Sequence, residues 1–389
     1  MTPLFAVLAP YFAPAVAGGG PIRSLDALTA SAPPETRVVV VTGDRDHGSD
    51  DPLPVPTGVW TRHRDVPVLY SDTRSVRALA RSFSALRAQR PDQLCLNSFF
   101  GVTFSLVPQL LGRLGWWHGA GVVVAPRGEF APDALASKAP KKRAYLAAYR
   151  LLGLHRRVLW HAATELEAAE IRALWGADTR IVVNTPRSPL PARAVRSHPE
   201  PSPVLRAVSF GRMTRLKGFD LVLRGLAELP VCTRMHLDVI GPHEEPDFVA
   251  ECRRLAADLP DGITVDFVGA LGHDALTRAL QGYDVALLGT HGESYGHVVA
   301  EALAAGCPVV VGDTTPWTAA IAGGAGLVVP QQTPSAWAGT LARFVGLDVA
   351  TRLAMRDAAA DAFEEAQRAE APHLFEQVLA TSRESVTPV

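Results

Sequence analysis

Cysteine is scarce in this chain of 389 residues: there are four, Cys95, Cys232, Cys252 and Cys307, far apart and without a C-x-x-C pair. Their spacing offers neither a zinc site nor a disulfide framework and fits a reducing, cytoplasmic setting. An excess of one charge is also missing. With 38 Lys and Arg against 39 Asp and Glu, the formal net charge is −1, which excludes a generally basic nucleic-acid binder; any positive charge that matters is local. The opening MTPLFAVLAPYFAP has no basic n-region and carries prolines inside its short apolar run, so it reads as a first strand rather than a secretion signal. The longest apolar stretch, Phe99 to Trp117, is interrupted by Pro108, Gln109 and Arg113. A buried or partly interfacial helix is expected there instead of a membrane span. No H-E-x-x-H, Ser-His-Asp spacing or G-x-G-x-x-G occurs, so neither a zinc protease nor a nicotinamide enzyme is indicated.

What is present is a globular composition, 48% hydrophobic and 20% charged, on a chain too long for one core and suited to two. Apolar runs of strand length alternate with helical patterns, the mark of parallel sheets built from βα units. In the first half LFAVLA, RVVVVTG, DQLCLN, GVVVAP and VLWHAA read as buried strands, with helices near 22–31, 75–90, 102–115, 135–152 and 165–175. A proline-dense stretch, TPRSPLPARAVRSHPEPSP, then breaks the pattern and marks the boundary between a domain over 1–185 and one over 200–366. The second half repeats the alternation with LRAVSF, MHLDVIG, ITVDFVG, DVALLG and PVVVGD, and helices near 219–229, 246–259, 274–281 and 297–305. Helical stretches close the chain over about 334–380, and a last helix over about 367–389 is expected to pack back on the first domain. The fold class is α/β.

The most informative segment is DVALLGTHGESYGHVVAEALAAGCPVVVGD, Asp284 to Asp313: strand, glycine-rich loop, helix from about Gly296, glycine stop, strand. Open α/β sheets bind ligands at the carboxyl ends of their strands, and a helix N-terminus offers free N–H groups and about half a positive charge to an anion. A phosphate site at Gly296–Val298 follows. Glu293 and Glu301 bracket it, and His297 shares a helix face with Glu301. Isolated glutamates are mostly solvated; here a short, alanine-rich helix between two apolar strands leaves little solvent for them. In a second segment, VSFGRMTRLKGFDLVLRGLAEL, a strand ends at Gly211 and a helix begins near Lys217–Phe219, which puts Arg212 and Lys217 on one strand-to-helix loop. A guanidinium fork and a mobile ammonium at one sheet edge suit a diphosphate.

GRMTRLKGFD followed about 80 residues later by GESYGHVVAEALAAGCPVV resembles the C-terminal domain of retaining family-4 glycosyltransferases of GT-B fold, with their E-x7-E motif at Glu293 and Glu301. The resemblance spans most of 205–330. GGGPIRSL and APRGEFAPDALASKAPKKRAYL resemble a bacterial branch whose members often build exopolysaccharide and related glycans. It implies two Rossmann-like, doubly wound domains facing across a cleft, the second binding a nucleotide-diphosphate sugar, UDP- or GDP-linked, and the first an acceptor. Arg212 and Lys217 would hold the donor diphosphate beside Gly211. Glu293 would bond the transferred sugar, Ser294, Tyr295, Gly296, His297 and Val298 would touch phosphate or sugar, and Glu301 would bind the ribose. Glu293, Arg212 and Lys217 are thus the candidate catalytic set. The family keeps the anomeric configuration and generally needs no bound metal or other cofactor, the sugar nucleotide being a co-substrate. The inter-domain VVNTPRSP, where many relatives have an asparagine–glycine turn, and Leu288-Gly289-Thr290, in place of a proline-containing turn, depart from its pattern.

In the first half Gly18, Gly19 and Gly20 follow strand one, with Pro21 where a helix tolerates it best; the loop either admits a phosphate or acceptor or is a tight turn. Arg127, Gly128 and Glu129 occupy the place of a catalytic-loop histidine in many relatives, which makes Arg127 and Glu129 candidates near donor sugar or acceptor. Asp44-Arg45-Asp46 spells D-x-D but reads as a solvated turn. The basic, amphipathic 138–157 is either a charged outer face or a peripheral contact with anionic lipid. The acceptor is a glycan, a lipid-linked glycan or a small natural product. A sugar-nucleotide epimerase and a non-catalytic nucleotide-sugar-binding subunit are the alternative functions.

Overall fold

The structure is a computed structural model and describes residues 2–136, 138–185, 190, 193–293, 295–368 and 372–384. The chain divides into two compact units, Met1–Pro189 with Ala371–Val389, and Leu190–Glu370.

Unit 1 runs β1 (Leu4–Ala9), α1 (Gly20–Ala30), β2 (Arg37–Gly43), β3 (Trp60–His63), β4 (Val66–Ser71), α2 (Val76–Ala88), β5 (Gln93–Asn97), α3 (Val107–Arg113), β6 (Gly121–Ala125), α4 (Pro132–Ala136), α5 (Ala139–Leu151), β7 (Leu159–Ala162), α6 (Glu165–Trp175) and β8 (Ile181–Val183). Its eight strands are ordered β3-β4-β2-β1-β5-β6-β7-β8, all parallel except for β3, which pairs antiparallel with β4 at the edge. Covered on both faces, the central strands can be continuous apolar runs, and every residue of β1 is buried. Caps set the helix starts: Thr164 Oγ1 accepts from the Glu167 amide and Ser75 Oγ from Ala78.

Unit 2 runs β9 (Leu205–Phe210), α7 (Phe219–Ala227), β10 (Met235–Ile240), α8 (Pro246–Ala257), β11 (Ile263–Gly269), α9 (His273–Leu280), β12 (Val285–Leu288), α10 (His297–Ala304), β13 (Val309–Gly312), α11 (Thr318–Ala320), β14 (Gly326–Val329), α12 (Pro334–Val345) and α13 (Val349–Arg368). Its six parallel strands are ordered β11-β10-β9-β12-β13-β14. Apolar layers cover both faces, one around Phe219, Phe248, Trp337 and Phe344, the other around Tyr295, Leu303, Trp317 and Phe363. The last helix, α14 (Leu374–Glu384), returns to unit 1. Phe375 stacks on Phe5 at 4.3 Å between ring centroids, and truncating so deeply buried a ring to alanine removes about 3–5 kcal/mol.

The expected strands and helices form, but four strands were absent from the sequence reading. Trp60–His63 is part-exposed, Val66–Ser71 holds Pro67, Ile181–Val183 is only three residues long, and Gly326–Val329 opens on a glycine. The helix expected over 102–115 begins as a wide π turn, Val102–Leu106, before α3, and the one over 135–152 is divided into α4 and α5. Unit 2 begins before residue 200, because Val195 donates to Ala304 O and Arg356 bonds Ser197 O. The last helix starts at Leu374, not 367, following Pro372, and residues 385–389 of that expectation lie outside the described residues. Among the described residues no helix is long and apolar enough to cross a membrane.

Candidate functional site

In unit 2 the chain winds outward from β9 to β10 and β11, then returns to β12 on the other side of β9. Ala207 pairs with Val285 and Val208 with Ala286, so the loops that leave the carboxyl ends of these two strands diverge from one point. Such a switch point opens a ligand crevice in an open α/β sheet. The loop after β9 is Gly211–Gly218, closed by a 3-10 turn at Arg215–Lys217; the loop after β12 is Gly289–Gly296.

The two loops cross at a pair of glycines. A Cβ on Gly218 would stand 2.0 Å from Gly289 O, and one on Gly289 would stand 2.2 Å from Gly218 O. Gly218 also has φ +59°, where side chains are disfavoured. The departure Leu288-Gly289-Thr290 thus has a local reason. Beyond the crossing, the His291 amide donates to Leu216 O at 2.9 Å, and Lys217 Nζ is bonded to Glu293 Oε1. Both side chains of this pair are largely shielded from solvent. Thr290 O accepts from Thr314 Oγ1 and from Gln332 Nε2, and Gln332 is itself held by Trp337.

Helix α10 follows its N-cap Gly296, φ +80°, which has no side chain to cap it, and the helix N-terminus points its positive dipole end toward this loop. Gly211 lies against this end: a Cβ there would be 3.6 Å from Val298 Cγ1 and 4.0 Å from Lys217 Cδ. The fold therefore brings Gly211, Lys217, Glu293 and Val298 together. Tyr295 is fixed by Trp317, whose Nε1 donates to its carbonyl at 2.7 Å, and the His297 ring meets the Tyr295 ring edge-on. Glu301 is buried on α10. On the same loop as Lys217, Arg212 Nη1 contacts both carboxylate oxygens of Glu244 at 3.0 Å, an ion pair absent from the sequence reading. Ser294 lies outside the described residues.

Unit 1 has a pocket of about 330 Å³ at the carboxyl edge of its sheet. Tyr11 follows β1, Arg45 and Asp46 follow β2, Thr73 and Arg74 follow β4, and Asn97 ends β5. Asp44-Arg45-Asp46 is not a solvated turn. Asp44 is buried, and burial raises its carboxyl pKa although Arg45 opposes the rise. Arg45 bridges Asp44 and Asp72 at 2.6 and 2.9 Å, while Asp46 accepts from the amides of Val16 and Ala17 and so holds the segment that leads into Gly18, Gly19 and Gly20. These three glycines do not line the pocket; Gly19, φ +69°, is the N-cap of α1. Arg127 donates to Asn97 Oδ1 at 2.9 Å, and burial lowers its pKa. Glu129 accepts from Ser98 Oγ and from the Phe99 and Phe100 amides. Burial raises its pKa against those bonds. Its carboxylate thus braces the turn after β5.

The expected basic face over 138–157 is partly committed to packing. Lys142 bonds Ala134 O and lies over the Phe100 ring, and Arg150 bonds Leu174 O and lies over Trp175. Among the described residues one group has metal-ligand spacing, His236, Asp238 and Asp266 on β10 and β11. It is cross-linked by Thr264 and Tyr283 through hydrogen bonds of 2.8 and 2.6 Å.

Residues 205–346 match the family described as glycosyl transferases group 1. The D-inositol 3-phosphate glycosyltransferase of Mycolicibacterium gilvum is 32% identical over 202 residues, covering 48% of this chain and 44% of that protein. The chain thus aligns with about half the length of the curated relatives it matches. Anabaena HepE, solved in complex with UDP and glucose, superposes with a TM-score of 0.69 at 13% identity, over 98% of this chain and 100% of that one. Sucrose-phosphate synthase from Thermosynechococcus elongatus does so with a TM-score of 0.68 at 17% identity, over 99% and 100%. At these identities the likeness is one of fold, and the fold is GT-B.

Proposed function

We propose that this chain, whose residues 205–346 are those of a glycosyl transferases group 1 domain, is a glycosyltransferase that moves a sugar from a UDP- or GDP-linked donor to a hydroxyl acceptor with retention of configuration. Bacterial polysaccharide or glycoconjugate assembly is the proposed setting. The observation that carries this reading is the Lys217–Glu293 pair, set beside Gly211 and the start of α10 at the switch point of the unit 2 sheet.

In this reading the donor diphosphate lies against Gly211 and the first amides of α10. Lys217 meets the charge that grows as the sugar–phosphate bond breaks, which is where preorganised charge contributes most. Glu293 bonds hydroxyls of the transferred sugar, and Glu301 bonds the ribose. Arg212 joins by exchanging Glu244 for phosphate, a geometry a guanidinium suits. The cationic side chains and helix end meet the diphosphate charge without a divalent ion. The unit 1 pocket, with Tyr11, Arg45, Thr73, Arg74 and Asn97, takes the acceptor. Its polar lining suits a polyol or glycan, in keeping with the polyol phosphate in the name of the curated relatives.

The test is a thermal-shift panel of UDP, GDP, ADP and TDP and their sugar conjugates, with magnesium or with EDTA, on wild type and Glu301→Ala. Each protein is compared with its own ligand-free melting point. Binding at a hundredfold excess over Kd adds about 2.7 kcal/mol. A shift with one nucleotide family, unaffected by EDTA and reduced in the variant, supports the reading and identifies the base. No shift with any nucleotide refutes it. Donor conversion with no acceptor present would make the protein an epimerase, and binding without turnover on any acceptor a non-catalytic subunit.

A further inference from the structure

Helices α2, α3 and α5 each precede a parallel strand, β5, β6 and β7, so all three end at the amino edge of the unit 1 sheet, opposite the acceptor pocket. Their ends carry an unusual surface. Leu114, just after α3, is 81% exposed; Leu151 and Leu152, at the end of α5, are 89% and 38% exposed. Arg113 bonds Leu152 O and so holds the two helix ends, with their leucines, side by side. Single exposed leucines are ordinary; a pinned group is not.

The segments that carry and flank them hold charge of one sign. Residues 84–90, 111–119 and 148–157 hold six arginines, at 87, 90, 113, 150, 156 and 157, and no carboxylate, in a chain of net charge −1. Arg87, Arg113 and Arg150 lie in last helical turns, where they answer the helix dipole. Arg90, Arg156 and Arg157 stand beyond those turns, and the dipole does not account for them or for the leucines. Beside Leu114, a recess of about 330 Å³ is lined by Ser84, Arg87, Arg90, Trp116 and His118. Arg87 lies over the Trp116 ring at 4.5 Å and donates to Trp116 O.

We infer that this edge of unit 1 is a docking surface for a bilayer containing anionic phospholipid. Leu114, Leu151 and Leu152 enter the acyl boundary, Arg156 and Arg157 pair with headgroup phosphates at the rim, and the recess at Arg87, Arg90 and Trp116 receives one lipid phosphate. Apolar tips ringed by guanidinium groups match the interface of such a bilayer, where hydrocarbon burial and phosphate attraction add. A nucleic acid would leave the central leucines without a partner. The surface also gives an occupant to the basic segment over 138–157, whose Lys142 and Arg150 are engaged within the unit. The inference goes beyond the reading of unit 2 and does not depend on it.

The test is sedimentation of the full chain with vesicles of phosphatidylglycerol and phosphatidylcholine, against vesicles of phosphatidylcholine alone. The wild type sediments with the anionic vesicles and is released by salt. Arg156→Gln/Arg157→Gln lowers the partition coefficient about fivefold per charge removed. Leu114→Ser/Leu151→Ser lowers it at least about tenfold. All these side chains are solvent-exposed, so the variants keep the wild-type circular dichroism and melting point. Absence of binding to anionic vesicles, or binding unchanged in the leucine variant, overturns the inference. So does retention on heparin without vesicle binding, which would make the edge a polyanion site. Vesicle binding is read without turnover, so failure here leaves the proposed transferase activity untouched.

Discussion

Lys217 and Glu293 meet across 76 positions of sequence, ammonium against carboxylate, because β9 and β12 are neighbours and their loops interlock at two glycines. The pair keeps each charge neutralised in a shielded place until a ligand competes for one of them. In the proposed function an arriving diphosphate would draw Lys217 and free Glu293 for sugar hydroxyls, and the two residues would act as one device. Lys217→Ala is expected to lower kcat by about 10²–10³, by analogy with loss of an oxyanion donor. The Lys217→Ala/Glu293→Ala double variant should lose little more than the worse single one. Steady-state kinetics on the donor identified by nucleotide binding check both; additive losses would mean that the residues serve separate steps.

The glycine crossing predicts a stability effect that needs no substrate. Gly218→Ala and Gly289→Ala each drive a methyl group into a backbone carbonyl, and each should destabilise unit 2 by about 2 kcal/mol or more. Gly292→Ala, in the same loop, meets no atom within 4 Å and should stay within about 0.5 kcal/mol of wild type. Urea denaturation of the three variants distinguishes a steric crossing from general intolerance in this loop.

How much of this was legible in the sequence follows from the physics of each part. Parallel strands buried on both faces read as nearly unbroken apolar runs, so β1, β2, β6 and β13 were visible. Strand β3, an antiparallel edge reading WTRH, has no such run, and Pro67 masked β4. The glycine-rich loops and E-x7-E spacing pointed to the β12–α10 corner. Strand order alone decides that Lys217 faces Glu293 while Arg212 faces Glu244, and no local pattern encodes strand order. Glu129 is a candidate by its place after β6, where many relatives carry a catalytic-loop histidine; its hydrogen bonds to Ser98, Phe99 and Phe100 depend on the turn after β5, about 30 positions earlier, and no local pattern announces them.

Asp46 is the residue of D-x-D whose role the fold changes most. Its carboxylate holds the Val16 and Ala17 amides on one side and lines the unit 1 pocket on the other. Asp46→Ala should loosen the segment before Gly18–Gly20 and raise the acceptor KM with little change in the donor KM. Two-substrate kinetics measure the split, and an equal rise in both constants would make the effect a global one.

Glu170 on α6 is one source of pH dependence in the stability of unit 1. Burial, and then the Glu167 carboxylate nearby, raise its pKa from 4.5 to about 7. The folded state therefore binds a proton more readily than the unfolded chain, and stability declines as pH rises from about 4.5 through about 7. Glu170→Gln removes the ionisation. At pH 8 the variant should be the more stable protein, by about 1 kcal/mol, less than the full 1.36 kcal/mol per unit because the side chain is part-solvated. Near pH 4.5, where Glu170 is protonated in the folded state, variant and wild type should melt together. Melting curves from pH 4.5 to 8 decide it. A constant offset between the two proteins would mean that the amide changes packing, and a gap that opens between about pH 4.5 and 7 and is level above would tie the loss to this one proton.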